Sequence, residues 1–198
     1  MKVFLGITGA SGAPYAARLL ELLVGEGCEI GLCLSEAGAQ VVAAELYGDL
    51  SLPRAEVIAR LTAPYDDTIR LYELDDYGSP FASGSARVDG YVICPCSLAS
   101  AGTIAAGAGS NLIHRAAAVA LKEGRRLVLV PRETPLSTVQ LEALLKLRQA
   151  GATILFASPS FYNRPSSLPD LVDSVVLRIL DQLGLEHGLG RRWGEDRG

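Results

Sequence analysis

Short apolar runs alternate along the chain with longer segments in which apolar residues recur every three or four positions, the signature of buried strands and the helices that cover them. Val3-Phe4-Leu5 is the first such run. It passes through Gly6-Ile7-Thr8-Gly9-Ala10-Ser11-Gly12 into Ala13-Pro14-Tyr15-Ala16-Ala17-Arg18-Leu19-Leu20, which reads as strand, glycine turn, helix. Pro14 suits the first helical turn, where an N–H has no intrahelical partner, and the helix should end near Gly25 and Gly27. Glu29 to Leu34 predicts a second strand, Ser35 a helix cap, and residues 36 to 46 the helix it starts. A short helix is expected within 53 to 61 and a third strand over 69 to 74. A polar glycine loop follows from Asp75 to Arg87, carrying Ser83-Gly84-Ser85, and it is long enough to be functional.

Three later runs repeat one device: an apolar, β-branched stretch stopped by proline and followed by polar residues. They are Tyr91 to Ser97, Leu127 to Glu133 and Thr153 to Pro159. Near-continuous apolar strands between helices imply a parallel sheet covered on both faces. The expected fold is α/β, a Rossmann-like (flavodoxin-like) three-layer sandwich with a mostly parallel sheet. Ser137-x-x-Gln140 and Ser167-x-x-Asp170 read as capping boxes for the last two helices, the second closing at Gly184. Residues 1–184 are expected to form one domain. Residues 185–198, polar and glycine-rich around Trp193, are expected to be a tail or an arm docking on another copy.

Ligands of such sheets sit beyond the carboxyl ends of the strands, where Ser11, Ser35, Ser97, Arg132, Glu133 and Tyr162 all fall. The spacing at 6 to 12 is G-x-x-G-x-x-G, which is neither the dinucleotide fingerprint nor an NTPase loop. It still offers a helix amino terminus and the Ser11 hydroxyl to an anion. The segment 99 to 120 is rich in alanine and glycine, which suits close helix packing, a subunit interface or a flat ligand. Asn111, Arg115 and Lys122 share one helical face there, and Arg178 sits inside the last helix.

Composition narrows the partners. At 198 residues, 49% hydrophobic and 20% charged, the chain suits one well-buried domain, and a net charge of -4 leaves no electrostatic footprint for nucleic acid or an anionic membrane. No apolar stretch is long enough to span a bilayer and no signal-peptide pattern opens the chain, so a cytoplasmic location is expected. Cys28, Cys33, Cys94 and Cys96 contain no C-x-x-C pair and read as buried thiols. With two histidines and no metal-ligand spacing, no metal site is expected.

The ordered set T-G-A-S-G-A (8 to 13), A-S-G-S (82 to 85), C-P-C-S (94 to 97), N-L-I-x-R-A-A (111 to 117), A-L-K-E (120 to 123) and V-P-R-E-T-P (130 to 135) resembles the UbiX-type flavin prenyltransferases. F-Y-x-R-P-x-S (161 to 167) and R-W-G-E (192 to 195) extend the likeness over nearly the whole chain. The resemblance implies transfer of a dimethylallyl group from dimethylallyl phosphate to reduced FMN without a metal, giving the prenylated flavin used by UbiD-type decarboxylases. Matched residue by residue, Gly9, Ala10, Ser11, Ser35, Ser97, Leu98, Ala99, Ser100 and Arg132 would hold FMN. Lys122, Tyr162, Arg178, Arg115 and Ser85 would hold the dimethylallyl phosphate, with Arg115, Lys122, Arg132 and Arg178 as its cation cluster. Glu133, Glu45 and Ser11 match the positions for proton transfer.

The resemblance also implies a homo-oligomer, a dodecamer in which neighbouring subunits complete the site. Two positions depart from the family pattern: Ala118 stands where many members have Asp, and His114 where Glu is frequent, which removes a partner expected beside Arg115. The competing class, the flavin-dependent cysteine decarboxylases, uses a histidine before the fourth strand and a P-x-S-x-N-T-type motif. Residues 36 to 96 hold no histidine, and Pro95-Cys96-Ser97-Leu98-Ala99-Ser100 lacks the Asn-Thr. A non-catalytic FMN-binding subunit would not need Lys122, Glu133, Tyr162 and Arg178 together.

Overall fold

The structure, a computed structural model, describes residues 1–65, 68–162 and 164–187. Its strands are β1 (Lys2–Ile7), β2 (Glu29–Leu34), β3 (Ile69–Leu71), β4 (Gly90–Cys96), β5 (Arg126–Pro131) and β6 (Thr153–Ile154). They form one sheet in the order β3-β2-β1-β4-β5-β6, and every neighbouring pair is parallel. Parallel strands need crossovers, supplied by α1 (Ala13–Gly25), α2 (Glu36–Val42), α3 (Arg54–Thr62), α4 (Leu98–Ala105), α5 (Leu112–Lys122) and α6 (Thr138–Gln149). A last helix, α7 (Leu168–Leu183), returns after β6.

Strand pleat decides the layers. On β1, Val3, Leu5 and Ile7 point to one face and pack with α1, α2, α3 and α7, whereas Phe4 joins α4, α5 and α6 on the other. Both faces are thereby dry, and the central strands read as unbroken apolar runs for that reason. Three helix caps fall where the sequence places them, at Ser35, Ser137 and Ser167, the last two closing reciprocal capping boxes, and Ser97 adds a cap that the sequence reading did not assign; each side chain accepts from a backbone N–H.

Three expectations are corrected. The segment 36 to 46 is not one helix, because α2 ends at Val42 and the chain widens into a π-helical turn over Ala43–Tyr47 that Gly48 closes in the left-handed region. Pro95 does not stop the fourth strand, since β4 runs through Cys96 after a register shift between Ile93 and Cys96. The edge strands are shorter than their apolar runs. Tyr72, just past β3, still donates its N–H to Leu32 O at 2.9 Å, while its ring is buried against Phe81 at a separation of 5.4 Å, so its hydrophobicity serves a core cluster. Leu185 packs on the core and His187 lies 3.2 Å from Asp181, so the ordered body continues past residue 184. Residues 188–198, including Trp193, lie outside the described residues. Among the described residues no helix is long and apolar enough to cross a membrane.

Strand order reverses between β1 and β4, and one buried residue joins the two there. Thr8, 2% exposed, donates its N–H to Pro95 O at 3.1 Å and its hydroxyl to the same oxygen at 3.0 Å. The same hydroxyl oxygen accepts from Ser97 N at 2.7 Å. Thr8→Val preserves shape but leaves a buried carbonyl under-satisfied and the Ser97 N–H without its acceptor. The expected loss is about 1–3 kcal/mol of unfolding free energy, read as a lower urea midpoint at constant slope. An unchanged midpoint would show that the link contributes nothing.

Candidate functional site

The crevice between the carboxyl ends of β1 and β4 is the place where a doubly wound sheet receives ligands. The turn after β1 enters it at Gly9, Ala10 and Ser11, with Gly9 so close to Ala37 that a Cβ would fall 2.5 Å from that methyl carbon. Gly12 adopts φ 132, which only glycine reaches without strain, and α1 starts at the next residue. Glu45 reaches this point from the π-helical turn. Its Oε2 accepts from Gly12 N at 2.9 Å and Ala13 N at 2.8 Å. The anion at the amino end of α1 is therefore the protein's own carboxylate, which corrects the expectation that this terminus stands open to a ligand. The widened turn is what directs Glu45 there, a common use of a π-bulge.

Arg132, just past β5, donates Nε to Ser11 O at 3.3 Å and so lies against the turn after β1. Ser97 caps α4: its Oγ accepts from Ser100 N at 3.2 Å and donates to Ser100 Oγ at 3.0 Å. Leu98 is buried beneath, and Ala99 presents a small exposed side chain in the first turn of α4. Ser35 Oγ is committed to Gly38 N at 2.9 Å. Glu133 is exposed, accepts from Thr134 N at 3.2 Å, and forms no ion pair with Arg132 among the described residues. Hydroxyls at an α4 amino terminus, a neighbouring guanidinium and a glycine turn suit the phosphate and polyol of a mononucleotide, so this donor set fits FMN.

A second cluster forms on the outside of α5, around the 82–85 loop. Arg115 Nε donates to Ala82 O at 3.0 Å, and Arg125 donates to Gly84 O at 2.6 Å and to Tyr91 OH at 3.2 Å. Ser83 Oγ and Ser85 Oγ lie 2.9 Å apart, and Lys122 forms an ion pair with Glu123 over the same loop. A Cβ on Gly84 would fall 2.5 Å from Lys122 Nζ and closer still to Glu123 Oε1, so the pair rests directly on the glycine backbone and would have to shift for any side chain there. Arg115 and Lys122, two of the residues expected to hold the prenyl phosphate, thus both reach the 82–85 loop that carries the third, Ser85.

The remaining substrate candidates stand apart. Arg178 on α7 leaves 62% of its side chain exposed, pairs with Asp181 at 2.7 Å, and lines a cavity of about 300 Å³ with Ser158, Ser174 and Gln182. Tyr162, 57% exposed, lies in the loop between β6 and α7. The four cations Arg115, Lys122, Arg132 and Arg178 thus do not form one cluster within a single chain. For Lys122 the cause is direction: α5 runs back against the strands and its last turn leads into the start of β5, at the amino edge of the sheet. Lys122 is separated from Arg132 by the whole of β5, six residues or roughly 20 Å. His114 is also placed differently from its expected role. It is 7% exposed and faces the core, with Ser110 Oγ at 3.4 Å from Nδ1 and burial lowering its basicity, while Arg115 points outward.

Sequence reasoning missed Thr8, Glu123 and Arg125. Thr8 carried a signal, being a polar residue at the end of an apolar run destined for burial; the other two read as an ordinary solvated charge run. The thiols of Cys94 and Cys96 are fully buried, and desolvation pushes Cys96 up to about 12 and Cys94 further, so neither supplies a thiolate at neutral pH.

The model of the flavoprotein family matches residues 1–180. A flavin prenyltransferase UbiX of Halalkalibacterium halodurans is 49% identical over 193 residues, covering 98% of this chain and 93% of that protein. Among solved structures, a dodecameric FMN-dependent UbiX-like decarboxylase from Escherichia coli O157:H7 superposes with a TM-score of 0.85 at 41% identity, covering 98% of this chain and 99% of the other. AnUbiX in complex with FMN and dimethylallyl pyrophosphate gives a TM-score of 0.86 at 35% identity, with 98% and 97% covered. The chain therefore belongs to the flavoprotein family and, within it, to the UbiX-type flavin prenyltransferases.

Proposed function

We propose that the protein transfers a dimethylallyl group from dimethylallyl phosphate to reduced FMN, and that the crevice and the α5 cluster are two parts of one site that separate copies of the chain bring together. FMN, once reduced, supplies the electron-rich ring that receives the prenyl group as the donor's C–O bond breaks, inorganic phosphate departs and a ring proton is lost. The observation that carries this reading is the division of labour within the chain. The crevice has the hydroxyls and guanidinium for a mononucleotide, whereas Lys122, Arg115 and the serine loop offer phosphate-type donors on a different surface. A homo-oligomer, of which the dodecameric relative is an example, would join them, with Arg178 and Tyr162 supplied at the contacts.

Each residue then has a physical task. Arg132 and the amino end of α4, with Ser97, Leu98, Ala99 and Ser100, hold the mononucleotide. Gly9, Ala10 and Ser11 bring the turn after β1 to the crevice, and Ser35 lies beside the end of β1, its N–H donating to Ile7 O at 2.9 Å. Lys122, Arg115, Arg178, Tyr162 and Ser85 hold the prenyl phosphate and stabilise the charge that develops on the leaving oxygen, so that fixed cations replace the metal usual for diphosphates. Glu133 takes up a proton on a carboxylate oxygen, and Ser11 relays. Glu45 serves first as the carboxylate that fixes the α1 terminus and keeps Ser11 in place, next to its proton-transfer role. The product is suited to a UbiD-type decarboxylase, consistent with a cytoplasmic enzyme handing on a modified cofactor.

Two outcomes check this reading. Lys122→Ala should raise KM for dimethylallyl phosphate by about tenfold or more while FMN titration is unchanged, because a charged hydrogen-bond donor is lost only on the donor side. Unaltered turnover at limiting donor would remove Lys122 from the site. Glu133→Gln should bind FMN as before but form prenylated flavin about 10²-fold more slowly, the usual range for a lost general base. Wild-type rates would exclude the role, and loss of FMN or of folding would make Glu133 structural.

A further inference from the structure

We propose that Glu123 is a specificity-determining residue for the prenyl donor: seated on Lys122, it makes the site favour a monophosphate over the more highly charged diphosphate. The inference rests on the reading of Lys122 as a donor-phosphate ligand. It begins from the finding that Lys122 is not a bare cation.

Glu123 Oε1 occupies Lys122 Nζ, and the pair lies directly over the Gly84 backbone. The side chains keep 50% and 34% of their exposure, so an incoming phosphate reaches both. Of the other cations facing the loop, Arg125 donates to Gly84 O and Tyr91 OH, and Arg115 spends Nε on Ala82 O, which leaves the rest of its guanidinium to share the phosphate with Lys122. A phosphate approaching Lys122 therefore shares the ammonium with a carboxylate or displaces it. Lys122, followed by Arg125, holds the Glu123 carboxyl below the usual carboxylate range, so it stays ionised at neutral pH and repels any anion placed on the same ammonium.

Repulsion of this kind grows with the charge of the ligand. A diphosphate has one more ionisable oxygen than a monophosphate and loses more to the carboxylate. Discrimination by like charge is a recognised route to specificity, in which the disfavoured ligand is penalised and the favoured one gains no new contact. Gly84 lets the pair lie against the loop backbone, where a side chain would displace it.

The test compares kcat/KM for dimethylallyl diphosphate and dimethylallyl phosphate at saturating reduced FMN in the wild type, Glu123→Gln and Lys122→Ala. Glu123→Gln should move the diphosphate to monophosphate ratio toward the diphosphate by about threefold or more, the scale of a partly screened surface charge. Calorimetry of the FMN-free protein with inorganic phosphate and pyrophosphate should show the same shift in relative affinity. A ratio that stays constant, or moves toward the monophosphate, in both measurements overturns the proposal. If Lys122→Ala raises the donor KM while Glu123→Gln leaves the ratio alone, only the role of Glu123 falls; if Lys122→Ala changes nothing, the reading of the site falls with it. Should Glu123→Gln not fold, Glu123→Ser removes the same charge at the same exposed position and carries the same readout.

Discussion

The hydrogen bonds of Thr8 are the interaction on which the site depends. One buried side chain and its own N–H tie the ends of β1 and β4 across the point where strand order reverses. From that link the turn carrying Ser11 proceeds in one direction and the Ser97 cap of α4 in the other. Neither loop could hold its hydroxyls in place if the strand ends parted. Arg132 leans on the Ser11 carbonyl and Glu45 on the N–H groups of Gly12, the cap of α1, and of Ala13, its first residue, so both presuppose the turn that Thr8 anchors.

A second constraint is the direction of the helices. Right-handed parallel crossovers start each helix at the carboxyl edge and finish it at the amino edge. The first turn of α4 therefore belongs to the crevice, while the last turn of α5 does not. Lys122 and Arg132 are close partners in the family pattern yet lie at opposite ends of β5 in one chain. That separation is the physical ground for the proposal that the site is assembled from several copies.

Much of this was legible from residues. The glycine turn, the capping serines and the apolar central strands declare themselves because each satisfies a local rule: φ > 0 at Gly12, side-chain acceptors at Ser35, Ser137 and Ser167, and dryness on both faces of β4 and β5. What stayed hidden depends on tertiary context. Nothing in Ala43-Ala44-Glu45-Leu46-Tyr47 marks a π-helical turn; the demand comes from the α1 terminus that Glu45 must reach. Pro95 reads as a stop because a proline cannot donate to a ladder, yet the register shift lets β4 carry on to Cys96. The candidate cations were identifiable as charges but not as neighbours, since spacing along a helix says which face a residue takes and not which end of the sheet it reaches.

The central claim is that this chain, assembled with its own copies, has everything needed to prenylate FMN. The most direct measurement is the mass of the flavin released after anaerobic incubation of the purified protein with reduced FMN and dimethylallyl phosphate, no metal being added. The account predicts a flavin carrying one dimethylallyl unit, formed with a matching amount of inorganic phosphate. Recovery of unmodified FMN from protein that binds both ligands would contradict it.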